Sequence, residues 1–326
     1  MLISVIVPCY NEELVLEATY QRLSTVLAAV PEIRYELIFV NDGSRDATHE
    51  ILAQLQLQDS HVRVLGLSRN FGHQVAVTAG LEQSTGDAVV IIDADLQDPP
   101  ELIPELVARW QEGNHVVYGI RTDRDGESKF KLWTAKVFYR LINRLSETKM
   151  PLDAGDFRLL DRKVVDVLNA MPERARYLRG MVSWAGYRQV SVPYGRAARH
   201  AGETKYPLSK MIRFAMDGIT SFSLVPLKVA IWTGFIAIWI AVLGIVVAIL
   251  DRLFEKGLTR GWASLFVAIL FMGGIQLVSL GIIGEYLGRI YTEVKRRPLY
   301  AVQERLGFGN AEKSENTKSQ EVNATF

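Results

Sequence analysis

Two long stretches without a charged residue lie in the C-terminal third of this 326-residue chain, at residues 229–250 and 262–284. At 1.5 Å per residue, a helix of either length spans about 33 Å, enough to cross a hydrocarbon core of about 30 Å. A pair of buried core helices is the alternative, but helices that are apolar on every side need a large protein around them. The sequence therefore predicts two transmembrane helices over these ranges.

Basic residues are denser outside this pair of stretches than in the connection between them. The connection, residues 251–261, holds three, and the two flanks hold eight. The eight are Lys210, Arg213, Lys228, Arg289, Lys295, Arg296, Arg297 and Arg305. Because cytoplasmic flanks carry the excess of Lys and Arg, the pattern places both termini in the cytoplasm, with residues 285–326 as a cytosolic tail.

Composition excludes two classes of function. Lys plus Arg total 37 against 36 for Asp plus Glu, a net charge of +1, so no basic excess indicates nucleic acid as a partner. Cys9 is the only cysteine, which excludes an intrachain disulfide and a multi-cysteine metal site. We interpret it as a small buried thiol.

Residues 1–205 alternate short β-rich runs with segments of helical periodicity. The predicted strands are 2–7, 35–41, 62–67, 87–93 and 115–120, and the predicted helices are 12–29, 46–57, 72–84 and 100–112. This alternation predicts an α/β fold of Rossmann type, with an open, mostly parallel sheet covered by helices.

Polar residues gather where four of these strands end. Residues 8–12 follow the first strand, 41–44 the second, 68–70 the third and 93–95 the fourth. Each cluster alone is typical of an ordinary turn. Since ligands bind at the carboxyl ends of strands in such sheets, four clusters at one edge predict a binding site.

Asp93 and Asp95 suit a divalent cation. In an extended strand, residues i and i+2 face the same side, so both carboxylates can reach one ligand. Carboxylate oxygens are the ligands that hard divalent cations prefer, which predicts Mg²⁺ or Mn²⁺.

Five motifs together resemble the polyprenyl-phosphate glycosyltransferases of glycosyltransferase family 2. They are Pro-Cys-Tyr-Asn-Glu at 8–12, Asn-Asp-Gly-Ser at 41–44, Ser-Arg-Asn-Phe-Gly at 68–72, Asp-Ala-Asp-Leu-Gln-Asp-Pro-Pro at 93–100 and Gly-Asp-Phe-Arg-Leu at 155–159. The most similar branch is that of the bacterial undecaprenyl-phosphate glucosyltransferases with two C-terminal membrane helices, relatives of dolichol-phosphate mannose synthase. The resemblance implies a GT-A fold, a nucleotide sugar, a divalent cation and the bacterial inner membrane.

The resemblance also implies roles for individual residues. The metal site would comprise Asp95 and Gln97, with Asp93 in the outer shell or near the ribose. The catalytic residues would be Asp95 and Asp156, with Asp156 as the candidate base and Asp153 as its substitute. The substrate-binding residues would be Pro8, Tyr10, Glu12, Asp42, Arg69 and Asp93, and a loop resembling Arg-x-x-Gly-x-Ser-Lys adds Arg199 and Lys205, with Thr204 in place of the serine. The structural alternatives are a helix-cap neighbour for Gln97, a solvated charge for Arg69 and a capping role for Asp156.

The role of Asp156 stays open between two chemistries. A phosphate monoester has a second pKa of about 6, so a lipid phosphate is already mostly dianionic at pH 7 and needs little deprotonation. Asp156 therefore either captures a residual proton from the monoanion or orients a basic residue.

Two further segments combine apolar residues at helical spacing with cations. Residues 129–147 are predicted to form an interfacial helix and residues 206–228 a juxtamembrane amphipathic helix, with a soluble core helix as the alternative. Gly281, Gly284 and Gly288 would permit close helix contacts, which leaves a homo-oligomer open.

The leading functional hypothesis is an inverting enzyme that moves a hexose, glucose from UDP-glucose, onto undecaprenyl phosphate. The same reaction with GDP-mannose or a UDP-aminosugar is one alternative. A processive polysaccharide synthase is disfavoured because the chain has no Gln-x-x-Arg-Trp motif. A non-catalytic nucleotide-binding scaffold would bind UDP without turnover.

Overall fold

The computed structural model describes residues 1–121, 154–195, 225–253 and 262–309. These residues fall into two compact units, one built on a β-sheet and one formed by two long helices. The predicted interfacial helix at 129–147 lies outside the described residues, as does all of the predicted juxtamembrane helix before residue 225.

The described part of the first unit contains one sheet of eight strands in the order β7-β5-β6-β4-β1-β2-β3-β8. The strands are β1 Leu2–Cys9, β2 Arg34–Asn41, β3 Val62–Leu67, β4 Ala88–Ile91, β5 Val116–Arg121, β6 Ala154–Asp161, β7 Gln189–Tyr194 and β8 Val302–Leu306. Strands β4, β1, β2 and β3 are parallel neighbours, whereas β6 runs antiparallel to both β4 and β5. All five predicted strands are present, and β6, β7 and β8 are additional.

Helices cover this sheet and bury its central strands. They are α1 Leu16–Ala28, α2 Thr48–Gln58, α3 His73–Gln83, α4 Ile103–Gln111 after a 3₁₀ turn at Pro100–Leu102, α5 Arg162–Ala170 and α6 Leu178–Trp184. Residues of β1 and β2 are almost continuously buried, as expected for parallel strands with helices on both faces. Cys9 is a buried free thiol within this core, which confirms its interpretation.

The last described strand, β8, returns to the sheet after the two long helices. It pairs antiparallel with β3, with Leu65 opposite Arg305, and the Ser68 amide donates to the Ala301 carbonyl at 2.9 Å. The Tyr300 hydroxyl donates to Glu82 at the end of α3. The sequence predicts residues 285–326 as a cytosolic tail, whereas Val302–Leu306 within that range form this strand.

The second unit contains α7 Val225–Leu253 and α8 Trp262–Val294, which pack against each other. Each contains a segment long and apolar enough to cross a membrane, Leu227–Val247 and Ala268–Val294, and nearly all of the described apolar side chains there are exposed. Helix α8 continues ten residues past the predicted end at 284. Its last turns carry an ion pair between Arg289 and Glu285 at 3.1 Å.

Candidate active site

The loops after β1 and β2 interlock at the carboxyl edge of the sheet. The Asn11 amide donates to Ser44 Oγ at 3.0 Å, and the Arg45 amide donates back to Asn11 Oδ1 at 2.8 Å. Asn11 has a positive φ of 56°, a conformation that asparagine tolerates better than most residues. The two clusters predicted from separate strands thus form one framework.

Asp42 fixes the third cluster to this framework. It is buried, and its two carboxylate oxygens accept the amides of Phe71 at 2.7 Å and Gly72 at 2.9 Å. Burial raises the pKa of Asp42, although these two hydrogen bonds oppose the shift. Gly43, with φ at +66°, comes so close to the Arg69 backbone that a Cβ would lie 2.4 Å from the Arg69 carbonyl carbon. Asp42 therefore holds the backbone of the loop at 68–72 through two hydrogen bonds.

The acidic turn after β4 concentrates negative charge. Asp95 Oδ1 accepts the Gln97 amide at 3.1 Å, and Leu96 between them has a positive φ of 57°. Burial, together with the neighbouring carboxylates of Asp156, Asp98 and Asp95, raises the pKa of Asp93 to about 6, while His73 opposes that rise. A cation bound at this turn would relieve the repulsion.

The donors at this turn fit a divalent cation that shares its coordination with a ligand. Asp93, Asp95 and Gln97 supply hard oxygen atoms, and Mg²⁺ is commonly held by one or two carboxylates plus substrate phosphates. Among the described residues, no group of three or more His, Cys, Asp or Glu side chains is arranged to hold a metal ion by itself. The donor set therefore suits a cation that arrives with a diphosphate.

Asp156 faces this turn from the neighbouring strand. Ile91, the last residue of β4, pairs with Arg158 on β6, and Asp156 lies two residues from Arg158 along β6. His73, the first residue of α3, lies between the two carboxylates, with Nε2 3.7 Å from Asp93 Oδ1 and 3.7 Å from Asp156 Oδ2. The structure thus brings together two of the residues that the sequence predicted to act on the substrates.

Two arginines surround the other oxygen of Asp156. Arg179 on α6 donates its Nε–H to Asp156 Oδ1 at 2.8 Å, and Arg158 on β6 lies 3.9 Å from the same oxygen. Burial alone would raise the pKa of the Asp156 carboxyl, but Arg179, Arg158 and His73 outweigh it and hold that pKa well below its usual range. Asp156 is therefore an ionised carboxylate with a low affinity for protons.

The other predicted site residues differ in burial and in the contacts that they make. Pro8 is buried within β1, Tyr10 is 42% exposed at the edge, and Glu12 is partly buried with its amide bonded to Thr48 Oγ1 at 2.9 Å. Arg69 is exposed, and its guanidinium lies over the Phe71 ring at 4.1 Å. Arg199, Lys205 and Asp153 lie outside the described residues.

Comparison with known proteins assigns this arrangement to a family. The model of glycosyl transferase family 2 matches residues 4–168, which include the acidic turn and Asp156. The chain belongs to glycosyltransferase family 2. The family 2 enzyme is 51% identical to the uncharacterized glycosyltransferase YkcC of Bacillus subtilis, over 94% of this chain and 95% of that relative. It is 42% identical to the prophage bactoprenol glucosyl transferase homolog of Escherichia coli K12, over 93% and 99% of the two chains.

A bactoprenol glucosyl transferase from Shigella phage SfII is 43% identical over 93% of this chain and 98% of its own. Among solved structures, the chain is similar to glucosyl-3-phosphoglycerate synthase from Mycobacterium tuberculosis in complex with Mn²⁺, UDP and phosphoglyceric acid. The TM-score is 0.48 and the identity 25%, over 67% of this chain and 76% of that chain. The predicted family is confirmed. So is the predicted fold class, an α/β GT-A domain followed by two apolar helices.

Three residues that contact Asp93 or Asp156 at the candidate site were not among the predicted site residues. His73 directly follows the motif at 68–72, and this position was the available signal. Arg158 stands inside the fifth motif but received no role. Arg179 has no motif around it, and only the approach of α6 to β6 places it on Asp156.

Proposed function

We propose that this glycosyltransferase transfers glucose from UDP-glucose to undecaprenyl phosphate at a membrane, with inversion at the transferred sugar carbon. The observation that carries the proposal is the juxtaposition of the acidic turn with Asp156 at the carboxyl edge of the sheet. The names of relatives 42–43% identical over nearly the whole chain support glucose and a polyprenyl acceptor. The two apolar helices support a membrane location.

The acidic turn is proposed to bind the donor diphosphate. Asp93, Asp95 and Gln97 would hold Mg²⁺ or Mn²⁺, which supplies charge neutralisation of the departing nucleotide when bound. Asp42 keeps the loop at 68–72 in place, so its proposed contact with the nucleoside uses lone pairs beyond those bonded to Phe71 and Gly72. Pro8, Tyr10, Glu12 and Arg69 are proposed for the nucleoside pocket, and Arg199 and Lys205 for the diphosphate.

The return of β8 supports the proposed topology. Strand β7 precedes the two long helices and β8 follows them, yet both belong to the same sheet. A folded sheet lies on one side of a membrane, so the chain between these strands must cross it an even number of times. Two crossings by α7 and α8 satisfy this requirement, and the basic flanks support a cytoplasmic location for the sheet.

Site-directed labelling tests this topology. Cys9 is buried, so a Cys9→Ser variant provides a background without other cysteines. In intact cells, a cysteine introduced at Glu255 is expected to react with a membrane-impermeant maleimide, whereas one at Glu312 is expected to react only after lysis. Labelling of both in intact cells, or of neither, would contradict the two-crossing arrangement.

A transfer assay with the full chain tests the reaction itself. Purified protein in lipid nanodiscs with undecaprenyl phosphate and Mg²⁺ or Mn²⁺ is expected to yield a lipid carrying one labelled glucose from UDP-glucose. UDP-galactose, UDP-N-acetylglucosamine and GDP-mannose are tested as alternative donors under the same conditions. Preference for one of them would replace glucose as the proposed sugar. A polymeric product would indicate a processive synthase. UDP binding without any labelled lipid from any donor would indicate a scaffold and overturn the proposal.

A further inference from the structure

Thr19 on α1 contacts the backbone of the acidic turn. Its side-chain hydroxyl donates to the Ala94 carbonyl at 2.7 Å, and both residues are buried. Ala94 stands between Asp93 and Asp95, whereas Thr19 lies outside the five sequence motifs. The contact therefore ties α1 to the peptide group that leads from Ala94 into Asp95.

Burial alternates along the acidic turn. The buried positions are Ala94, Leu96 and Asp98, and the half-buried ones are Asp93, Asp95 and Gln97. The three proposed cation ligands thus share the more accessible side of the turn. Contacts of the positions between them set how the turn rests on the protein.

The turn follows directly on the parallel pairing of the sheet. Strand β4 ends at Ile91, and the Ile92 amide donates to the Ile6 carbonyl at 3.1 Å. Two residues later, the Ala94 carbonyl accepts from a side chain instead. Leu96 then adopts a positive φ of 57°, which leucine does only where the surrounding structure holds it. The Thr19 hydroxyl supplies one of the contacts that hold this turn.

The Thr19 hydroxyl also lies 2.9 Å from the Val15 carbonyl in its own helix. A hydroxyl carries one hydrogen, so the two carbonyls share it. The Val15 carbonyl also accepts the Thr19 amide at 2.9 Å and keeps that donor when the hydroxyl is removed. Loss of the hydroxyl therefore affects the acidic turn more than it affects α1.

We propose that Thr19 is a positioning residue of the proposed cation site, and that its hydroxyl fixes the Ala94 peptide group and thereby the arrangement of the Asp93 and Asp95 carboxylates. The inference rests on the proposed function, since it presupposes that this turn binds the cation of the nucleotide sugar. Mg²⁺ demands ligand distances of about 2.0–2.1 Å in near-octahedral geometry. Carboxylates arranged in advance bind such a cation with a smaller loss of conformational freedom.

Direct titration with Mn²⁺ tests the inference without turnover. Full-length protein in phosphatidylcholine nanodiscs is titrated in the presence of UDP, and the electron paramagnetic resonance signal of free Mn²⁺ gives the Kd after correction for Mn²⁺ bound by UDP alone. Thr19→Val replaces the hydroxyl by a methyl group and is expected to raise this Kd about 5- to 20-fold, the effect of losing one hydrogen bond to a buried group. Thr19→Ser keeps the hydroxyl and is expected to stay within about twofold of the wild type.

Thr78→Val is the matched control. Thr78 is likewise a buried threonine in a helix, and its hydroxyl donates to a carbonyl of that same helix, Gln74, at 2.8 Å. Its Mn²⁺ Kd is expected to stay within about twofold of the wild type. An equal rise in the Thr78 and Thr19 valine variants would indicate loosened packing and overturn the inference.

Hydrogen exchange of the cation-free protein gives a second readout. The backbone amides of residues 93–98 are expected to exchange faster in Thr19→Val than in the wild type, while those of β1 are unchanged. Unchanged exchange at 93–98, an unchanged Mn²⁺ Kd, or a Kd for Thr19→Ser as high as that of Thr19→Val would overturn the inference.

A third variant covers the case in which Thr19→Val does not fold. Thr19→Ala removes the hydroxyl without placing a methyl group against the Ala94 carbonyl, and a wild-type Kd for it would also overturn the inference. Wild-type protein that binds no Mn²⁺ with UDP would instead refute the proposed cation site. The two failures are therefore distinguishable.

Discussion

Replacing Asp95 by asparagine is expected to lower kcat/KM for glucosyl transfer about 100- to 1,000-fold, because the proposed cation loses a charged ligand beside the departing diphosphate. The fold should survive. Asn keeps an oxygen at the position of Oδ1, which accepts the Gln97 amide and shapes the turn. The melting temperature of the variant is therefore expected to match that of the wild type, while transfer in Mg²⁺ or Mn²⁺ is nearly lost.

Asp166→Asn is the matched control for this experiment. Asp166 is an exposed aspartate on α5, 3.9 Å from Arg162, and its replacement removes the same charge away from the site. Its turnover is expected to equal that of the wild type. Near-normal turnover of the Asp95 variant at saturating Mg²⁺ and Mn²⁺ would remove Asp95 from the proposed metal site. A lower melting temperature with normal activity per folded molecule would give Asp95 a structural role only.

The sequence predicts β1 to β4 well because parallel strands buried on both faces are continuous apolar runs. In β1, seven of the eight residues from Leu2 to Cys9 are buried, and exposure begins at Tyr10. Exposure likewise begins directly after β3, at Ser68, whereas after β2 burial continues through Asp42. The edge where ligands bind could therefore be located from hydrophobic patterning and chain order.

Strands β6 and β8 lack that pattern. Strand β6 carries Asp156, Arg158 and Asp161 within eight residues. Asp156 and Asp161 have partners on other elements, Arg179 on α6 and Trp110 on α4. Strand β8 holds Gln303, Glu304 and Arg305 at the edge of the sheet, beside a strand more than 200 residues earlier in the chain. No local signal in either sequence favours a strand over a polar loop, because the stabilising partners are distant in sequence.

The site shows the same division between local motifs and distant contacts. Asp93 and Asp95 are recognisable because their spacing and position after a strand are local properties. The surroundings of Asp156, by contrast, depend on its 2.8 Å contact with Arg179 on α6, and the sequence does not encode that contact at any fixed spacing. The sequence leaves open whether Asp156 captures a proton or orients a basic residue, and the structure places Arg179 Nε 2.8 Å from Asp156 Oδ1.

Asp156→Asn is expected to reduce kcat/KM for the acceptor about 100-fold, by the same factor at pH 6, 7 and 8, because it removes the negative charge that pairs with Arg179 and Arg158 at the candidate site. The arginines hold the pKa of Asp156 well below its usual range, so the carboxylate is fully ionised throughout this interval. The pair with Arg179 is therefore equally present at each pH. Its loss should have the same consequence at each.

A general-base role predicts a different profile. The second pKa of a phosphate monoester is about 6, so roughly half of the acceptor is monoanionic at pH 6 and about 1% at pH 8. A base that removes this proton therefore contributes progressively less to the rate as pH rises. Ionisation of the acceptor itself changes kcat/KM of the wild type and of the variant by the same factor, so this effect cancels in their ratio. A ratio that is large at pH 6 and approaches one at pH 8 would restore the general-base role. A constant ratio is expected instead, because a carboxylate held ionised by two arginines and a histidine binds a proton too weakly to remove one from the acceptor.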